Sequence, residues 1–254
     1  MDLIQQAERD LRWLVNCPDL LESPASLDLP DPFSEADRLD WSPVLRFHES
    51  KASYRVGYYV ESLIQVWLSA TPGIEQIQHG IQVRKEKVTL GELDFLFRRN
   101  GELQHLEVAL KYYLYLPERT VKGSHFIGPN ARDTFERKRD RLIRKQLPFG
   151  LSYDPDIHTS SHLVKGIIFY PEGVSGADEI PESLNSDHAR GTWQFAGESA
   201  GSPIRFLEKP FWLDGRHRAV KETGLPLSHP CLLYREETGH HFLVPDTWPE
   251  EPAK

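Results

Sequence analysis

Between Gly91 and Leu116 the chain reads GELDFLFRRNGELQHLEVALKYYLYL. Four of its charged residues, Glu92, Asp94, Glu107 and Lys111, stand where a plain hairpin needs none. Asn100-Gly101 supplies the two positive-φ residues of a type I′ turn. A two-residue loop there pairs Arg99 with Glu102 and Phe95 with Leu106, and so sets Asp94 opposite Glu107. In this register Leu93, Phe95, Leu106, Val108 and Leu110 share a core face. Glu92, Asp94, Glu107, Ala109 and Lys111 share the other, and a one-residue slip would send the carboxylates into the core. Opposed side chains have Cβ atoms roughly 5 Å apart, where like charges repel. Two facing carboxylates therefore require a compensating cation or an open face. A hard divalent ion such as Mg2+ or Mn2+ suits them, because it takes one or two carboxylates and completes its shell with water and phosphate. A solvated polar sheet face accounts for the same residues without chemistry.

The elements that must position this hairpin are readable from periodicity. Residues 2–16 form an amphipathic helix, with Leu3, Ala7, Leu11 and Leu14 on one stripe and Pro18 as its stop. Residues 22–45 hold Pro24, Pro30, Pro32 and Pro43 and read as a loop-rich connection. Residues 54–69 form a second helix, with Glu61 beside its apolar stripe and Thr71-Pro72-Gly73 at its end. A strand with a kink near Gly80 precedes the hairpin. A long helix from Pro129 ends before Pro148, and LVKGIIFYP (163–171) is a short apolar strand. Residues 172–200 are polar and rich in Gly and Ser, and short strands follow. The expected class is α/β (α+β), a mixed sheet flanked by helices. Residues 1–50 would pack on a core at 51–171, and 172–254 would be a β-rich extension of the same domain.

The 254 residues carry a formal net charge of −8, so a globally basic nucleic-acid binder is excluded while a local basic face is not. The two cysteines, Cys17 and Cys231, are far apart and imply no disulfide framework or zinc site. The N-terminus lacks the pattern of a signal peptide, and no apolar run approaches the ~18 residues a membrane span needs. A soluble cytoplasmic protein without membrane partners is the expectation.

The segments RDLRWLV, YRVGYYVESL, GELDFLF, HLEVALKYYL and GPNARDTFERKRDRLIRKQL together resemble a bacterial family known as a domain of unknown function. That family has been grouped with the PD-(D/E)XK restriction-endonuclease-like superfamily. The resemblance implies a restriction-endonuclease-like α-β-β-β-α-β core and metal-dependent hydrolysis of DNA or RNA. It also implies roles for individual residues. Asp94 matches the second-strand Asp, Glu107 the third-strand acid and Glu61 the helix Glu, all three as Mg2+ or Mn2+ ligands. The pattern places a lysine two residues after the third-strand acid, but Ala109 stands there. Lys111 is the nearest substitute, roughly 13 Å of strand beyond Glu107. A nuclease fold without activity, binding nucleic acid or a protein partner, is the alternative.

The helix from Pro129 to Leu147 carries seven basic residues, Arg132, Arg137, Lys138, Arg139, Arg141, Arg144 and Lys145, against Asp133, Glu136 and Asp140. It reads either as a phosphate-tracking face or as a solvated face with ion pairs. Arg132, Lys138, Arg139, Arg141, Lys145 and Gln146 are the candidate nucleic-acid contacts, with Arg139 and Gln146 placed to reach toward the sheet. No glycine-rich phosphate loop, serine-hydrolase elbow or zinc-protease motif is present. His240 and His241 read as surface and edge residues. Tyr112, Tyr113 and Tyr115 read as sheet packing, with base stacking as the alternative.

Overall fold

The computed structural model describes residues 3–35, 38–51, 54–199, 203–216 and 220–250. Asp2, placed in the first helix from sequence, lies outside them. The helices are α1 (Leu3–Asn16), α2 (Pro32–Glu35), α3 (Ser42–Glu49), α4 (Val56–Ala70), α5 (Phe135–Arg141) and α6 (Leu147–Tyr153). The strands are β1 (Ile74–Lys85), β2 (Val88–Arg99), β3 (Glu102–Tyr115), β4 (Phe126–Ile127), β5 (Ile157–Pro171), β6 (Ala189–Phe195), β7 (Ile204–Leu207), β8 (Val220–Thr223), β9 (Cys231–Arg235) and β10 (Gly239–Val244).

One mixed sheet runs in the order β1-β2-β3-β5-β6-β10-β9, with β4 paired to β3, while β7 and β8 form a separate ribbon. The hairpin strands are antiparallel, and β3-β5, β5-β6 and β6-β10 are parallel. The fold is therefore a mixed α/β architecture, and the C-terminal strands extend the same sheet. Leu11, Leu14, Leu63, Ile64, Phe95, Phe97 and Leu106 make the core between α1, α4 and one sheet face. Phe135, Leu142 and Leu147 cover the other face over Tyr113, Val164 and Ile168. No helix among the described residues is long and apolar enough to cross a membrane.

Three elements differ from their sequence reading. The 22–45 connection contains α2 and runs into α3, whose turn starts at Ser42-Pro43, because proline fits the first turn of a helix. The strand ending at Pro171 begins at Ile157, well before Leu163. The basic helix starts only at Phe135, capped by the Thr134 hydroxyl, which accepts the Arg137 N–H. It then passes through Pro148 to Tyr153. A π turn at Leu142–Gln146 explains the passage: the ladder widens there, with the Leu147 N–H reaching the Leu142 carbonyl. Proline next to that widened turn sits in the first turn of α6, where a missing N–H costs little.

Tyr112, Tyr113 and Tyr115 are buried in the sheet layers, as packing requires. His240 and His241 are buried too, against the surface reading, and burial holds them neutral, at about 4 and about 3. Cys17 and Cys231 are free thiols.

Candidate active site

The Asn-Gly turn has the geometry its sequence demands, with φ of 53° at Asn100 and 87° at Gly101. The ladder pairs Arg99 with Glu102, Arg98 with Leu103, Phe97 with Gln104, Leu96 with His105 and Phe95 with Leu106. There it stops. Beyond Phe95, β2 continues along β1 while β3 continues along β5. Asp94 stands at this fork, and its Oδ2 accepts the Val108 N–H at 2.8 Å. The carboxylate thus replaces a ladder bond that the diverging strand no longer makes.

The fork also switches the faces of β2. Gly80 lies opposite Asp94, between the pairs Ile81–Leu93 and His79–Phe95, and takes a φ of 64° that a side chain would strain. Leu93 consequently packs with Leu96, Ile157 and Phe149, and not with Phe95 as strict alternation required. Glu92, beyond this break, is exposed.

Glu107 is 1 % exposed and both its oxygens are occupied. Oε1 meets His105 Nε2 at 3.1 Å, and Oε2 accepts from the Gln146 amide. His105 is itself buried, with Nδ1 2.7 Å from Ser160 Oγ. A proton on Nε2 lets the imidazole donate to the carboxylate, and Nδ1 can accept from the Ser160 hydroxyl. Gly150 of α6 makes room for it, since a Cβ there would overlap the imidazole ring.

Burial and the Glu107 charge push the Asp94 carboxyl up to about 7, against the Val108 N–H, which favours its ionised form. The cation of this acid pair is Lys138. Burial lowers its pKa, Lys111 lowers it further, and the carboxylates of Glu107 and Asp94 raise it. Its Nζ donates to Gln146 Oε1 at 3.1 Å. The π turn brings these two side chains together. In a regular α-helix eight residues leave an offset of about 80°, and the extra residue of a π turn removes most of it.

Lys111 points elsewhere: its Nζ pairs with Asp133 Oδ2 at 2.7 Å. Glu61 binds His79 Nε2 at 2.8 Å on the α4 side, and its charge contributes to raising Asp94. Both were expected among the ligating and catalytic groups, and neither side chain is bonded to the acid pair. Among the described residues no three side chains converge as a metal-ligand cluster. Asp94 and Glu107 together make the one or two carboxylates that Mg2+ takes when water and phosphate supply the remaining ligands, and Glu107 would have to give up its His105 or Gln146 partner to join.

Asp94 lines an open basin of about 900 Å3, and Glu107 lies behind it, out of the lining. Lys138, Arg141, Lys145 and Gln146 line it, as do Arg137 and Arg144, two further cations beyond the contacts expected from sequence. Arg139 does not, because it pairs with Asp140 and reaches the Glu182 carbonyl. Arg132 lies before α5 and lines separate cavities. The signal for Lys138 as the site cation was its place in the basic run, but its partner required knowledge of the helix phase.

A family model described as a domain of unknown function, DUF1853, matches residues 9–224. The chain belongs to this family. The matched span of the DUF1853 chain contains the hairpin, the fork, the π turn and the whole wall of the basin. No curated protein and no solved structure matches the chain.

Proposed function

We propose that the protein is a metal-dependent phosphodiesterase of the nuclease kind, acting on DNA or RNA, with Asp94 and Glu107 at its centre. One observation carries the reading: Asp94, its carboxyl raised in pKa beside the buried Glu107, opens on a basin whose wall holds Arg137, Lys138, Arg141, Arg144 and Lys145. The order α4, β1, β2, β3, α5–α6, β5 supports the restriction-endonuclease-like core that the sequence resemblance implies.

Asp94 and Glu107 are the residues that would hold Mg2+ or Mn2+, and the ion would supply positive charge at the scissile phosphate. The chain's own groups do the rest. The basin cations hold the phosphate backbone. Lys138 stabilises the negative charge that grows on the phosphate. His105 and Gln146 fix the orientation of Glu107, and Glu61 sets the field around Asp94 from α4.

The test is cleavage of single-stranded DNA, duplex DNA and RNA by the purified chain with Mg2+ or Mn2+. Metal-dependent cleavage should fall at least about hundredfold in Asp94→Ala. Cleavage that survives the substitution would sink the assignment. A second reading, a nuclease fold that binds without cutting, is favoured by the engagement of both Glu107 oxygens and by the diversion of Lys111 to Asp133. Metal-independent binding with no cleavage of any substrate would select it.

A further inference from the structure

Behind the Lys111–Asp133 ion pair lies a second cavity, of about 550 Å3. It falls in the size range of small-molecule sites. It opens between β3, the loop at 128–133 and the β7–β8 ribbon. Lys111 and Asp133 line both this cavity and the acid basin, so one ion pair separates the two.

The chemistry of its walls is specific. Trp212 is held by three hydrogen bonds: its carbonyl accepts from the Tyr112 hydroxyl at 3.0 Å and from His240 Nε2 at 3.1 Å, and its indole N–H donates to the Leu207 carbonyl at 3.1 Å. The two bonds to the carbonyl anchor its backbone, and the indole N–H bond orients the ring before any ligand arrives. Lys209 Nζ stands 4.6 Å from its centroid, a cation over an aromatic face. Phe206 and the exposed His229 add two further rings, 6.5 Å apart. Asn130 offers an amide able to donate and accept. Preset aromatic faces with nearby cations and an amide suit a nucleobase attached to its phosphate.

We propose that this cavity receives an unpaired nucleobase of the strand whose phosphate lies over Asp94 and Glu107. The proposal rests on the phosphodiesterase reading and narrows it to single-stranded nucleic acid or unpaired ends. A base stacked inside a duplex cannot enter such a cavity, whereas a single strand presents its bases freely. The geometry along β3 is suitable: Glu107 and Lys111 are roughly 13 Å apart on the strand, a gap that a short extended stretch of single strand bridges. The Lys111–Asp133 pair then has a role at the crossing point. Its ammonium meets the backbone phosphate between the two sites.

The experiment is binding of the full chain to a fluorescent single-stranded oligonucleotide and to the blunt duplex of the same sequence, in EDTA. The single strand should bind at least about tenfold more tightly. Trp212→Ala should weaken single-strand binding about fivefold or more, the usual range for loss of one stacking platform. Trp212 is partly core, so Lys209→Glu provides the second variant: Lys209 is exposed and its replacement leaves the packing intact. It should weaken the single strand by a similar factor and leave duplex binding unchanged. Equal affinity for both substrates, or a single-strand affinity indifferent to Lys209→Glu, would overturn the base pocket. Cleavage with Mg2+ alongside that result would leave the phosphodiesterase reading standing. Selective single-strand binding without any cleavage would support the pocket and reject the phosphodiesterase.

Discussion

Two largely buried charged clusters sit side by side on β3 and β5, and only one of them borders the cationic basin. The first joins Glu107, His105, Gln146, Asp94 and Lys138. The second joins Asp19, His162 and Lys165, and its His162 is the ladder partner of Glu107. In the second, Asp19 accepts the Val164 N–H and lies 3.5 Å from His162 Nδ1, while Lys165 donates to the Cys17 carbonyl at 2.6 Å. The segment after α1 seals it, with Leu20 and Leu27 donating to the carbonyls of Val164 and His162. This edge of β5 would otherwise be bare, since β6 joins only from Ile167 onward. The residue types of the two clusters are alike. What separates them is access: one borders a cationic basin and the other is closed by backbone hydrogen bonds. A carboxylate and lysine in a buried set are therefore evidence for chemistry only where a substrate can reach them.

The sharpest way to break this contrast is a pair of lysine substitutions. Lys138→Ala should lower metal-dependent cleavage about hundredfold and cost less stability than the second substitution, because Asp94, its carboxyl raised to about 7, can take up a proton when the cation is lost. Lys165→Met should do the reverse, costing about 3 kcal/mol in urea denaturation because Asp19 loses its buried counter-charge, with cleavage per folded molecule unchanged. If Lys165→Met impaired cleavage by the folded protein, the distinction would fail.

Gly150→Ala probes how the open cluster is held. The added methyl must displace His105, which should cost about 2 kcal/mol and loosen Glu107. Thermal unfolding and cleavage, measured together, should both decline. A stable variant of undiminished activity would show that His105 does not position the acid.

The smallest effect is in pH dependence. The Asp94 carboxyl has a folded pKa of about 7, above its ordinary value of 3.8. The folded state therefore binds the extra proton, and ionising Asp94 erodes stability as pH rises through the window from about 4 to about 7. Asp94→Asn keeps an acceptor for Val108 and removes that charge. It should be more stable than the native chain at pH 8 by about 1–2 kcal/mol, with the difference gone near pH 4. An advantage that stayed constant across this range would refute the buried-acid assignment.

Legibility in the sequence followed the range of the physics. The hairpin was readable because Asn-Gly dihedrals and period-two alternation are local. The same alternation fails at Leu93, because Gly80, opposite the neighbouring Asp94, bends β1 and changes the face of β2. Pro148 was read as a helix stop by a sound local rule, which the π turn circumvents. Arg139 was expected to reach the sheet, but Asp140 and the remote Glu182 capture it. Lys111 follows the acids closely in sequence and shares their expected face, but Asp133 takes it instead.

By itself the sequence determined the turn, the register from Arg99–Glu102 to Phe95–Leu106, the acids at 94 and 107, and a basic helix to face them. These rest on dihedral preferences and on which faces must avoid water, and both act between near neighbours. Only the tertiary structure decided that Lys138 serves the acid pair, that Gln146 and His105 hold Glu107, and that the similar cluster at Asp19 is sealed. Those outcomes depend on the rotational phase of one helix over the sheet and on which strand edge the N-terminal segment covers. Neither is set by adjacent residues, so neither leaves a local pattern to read.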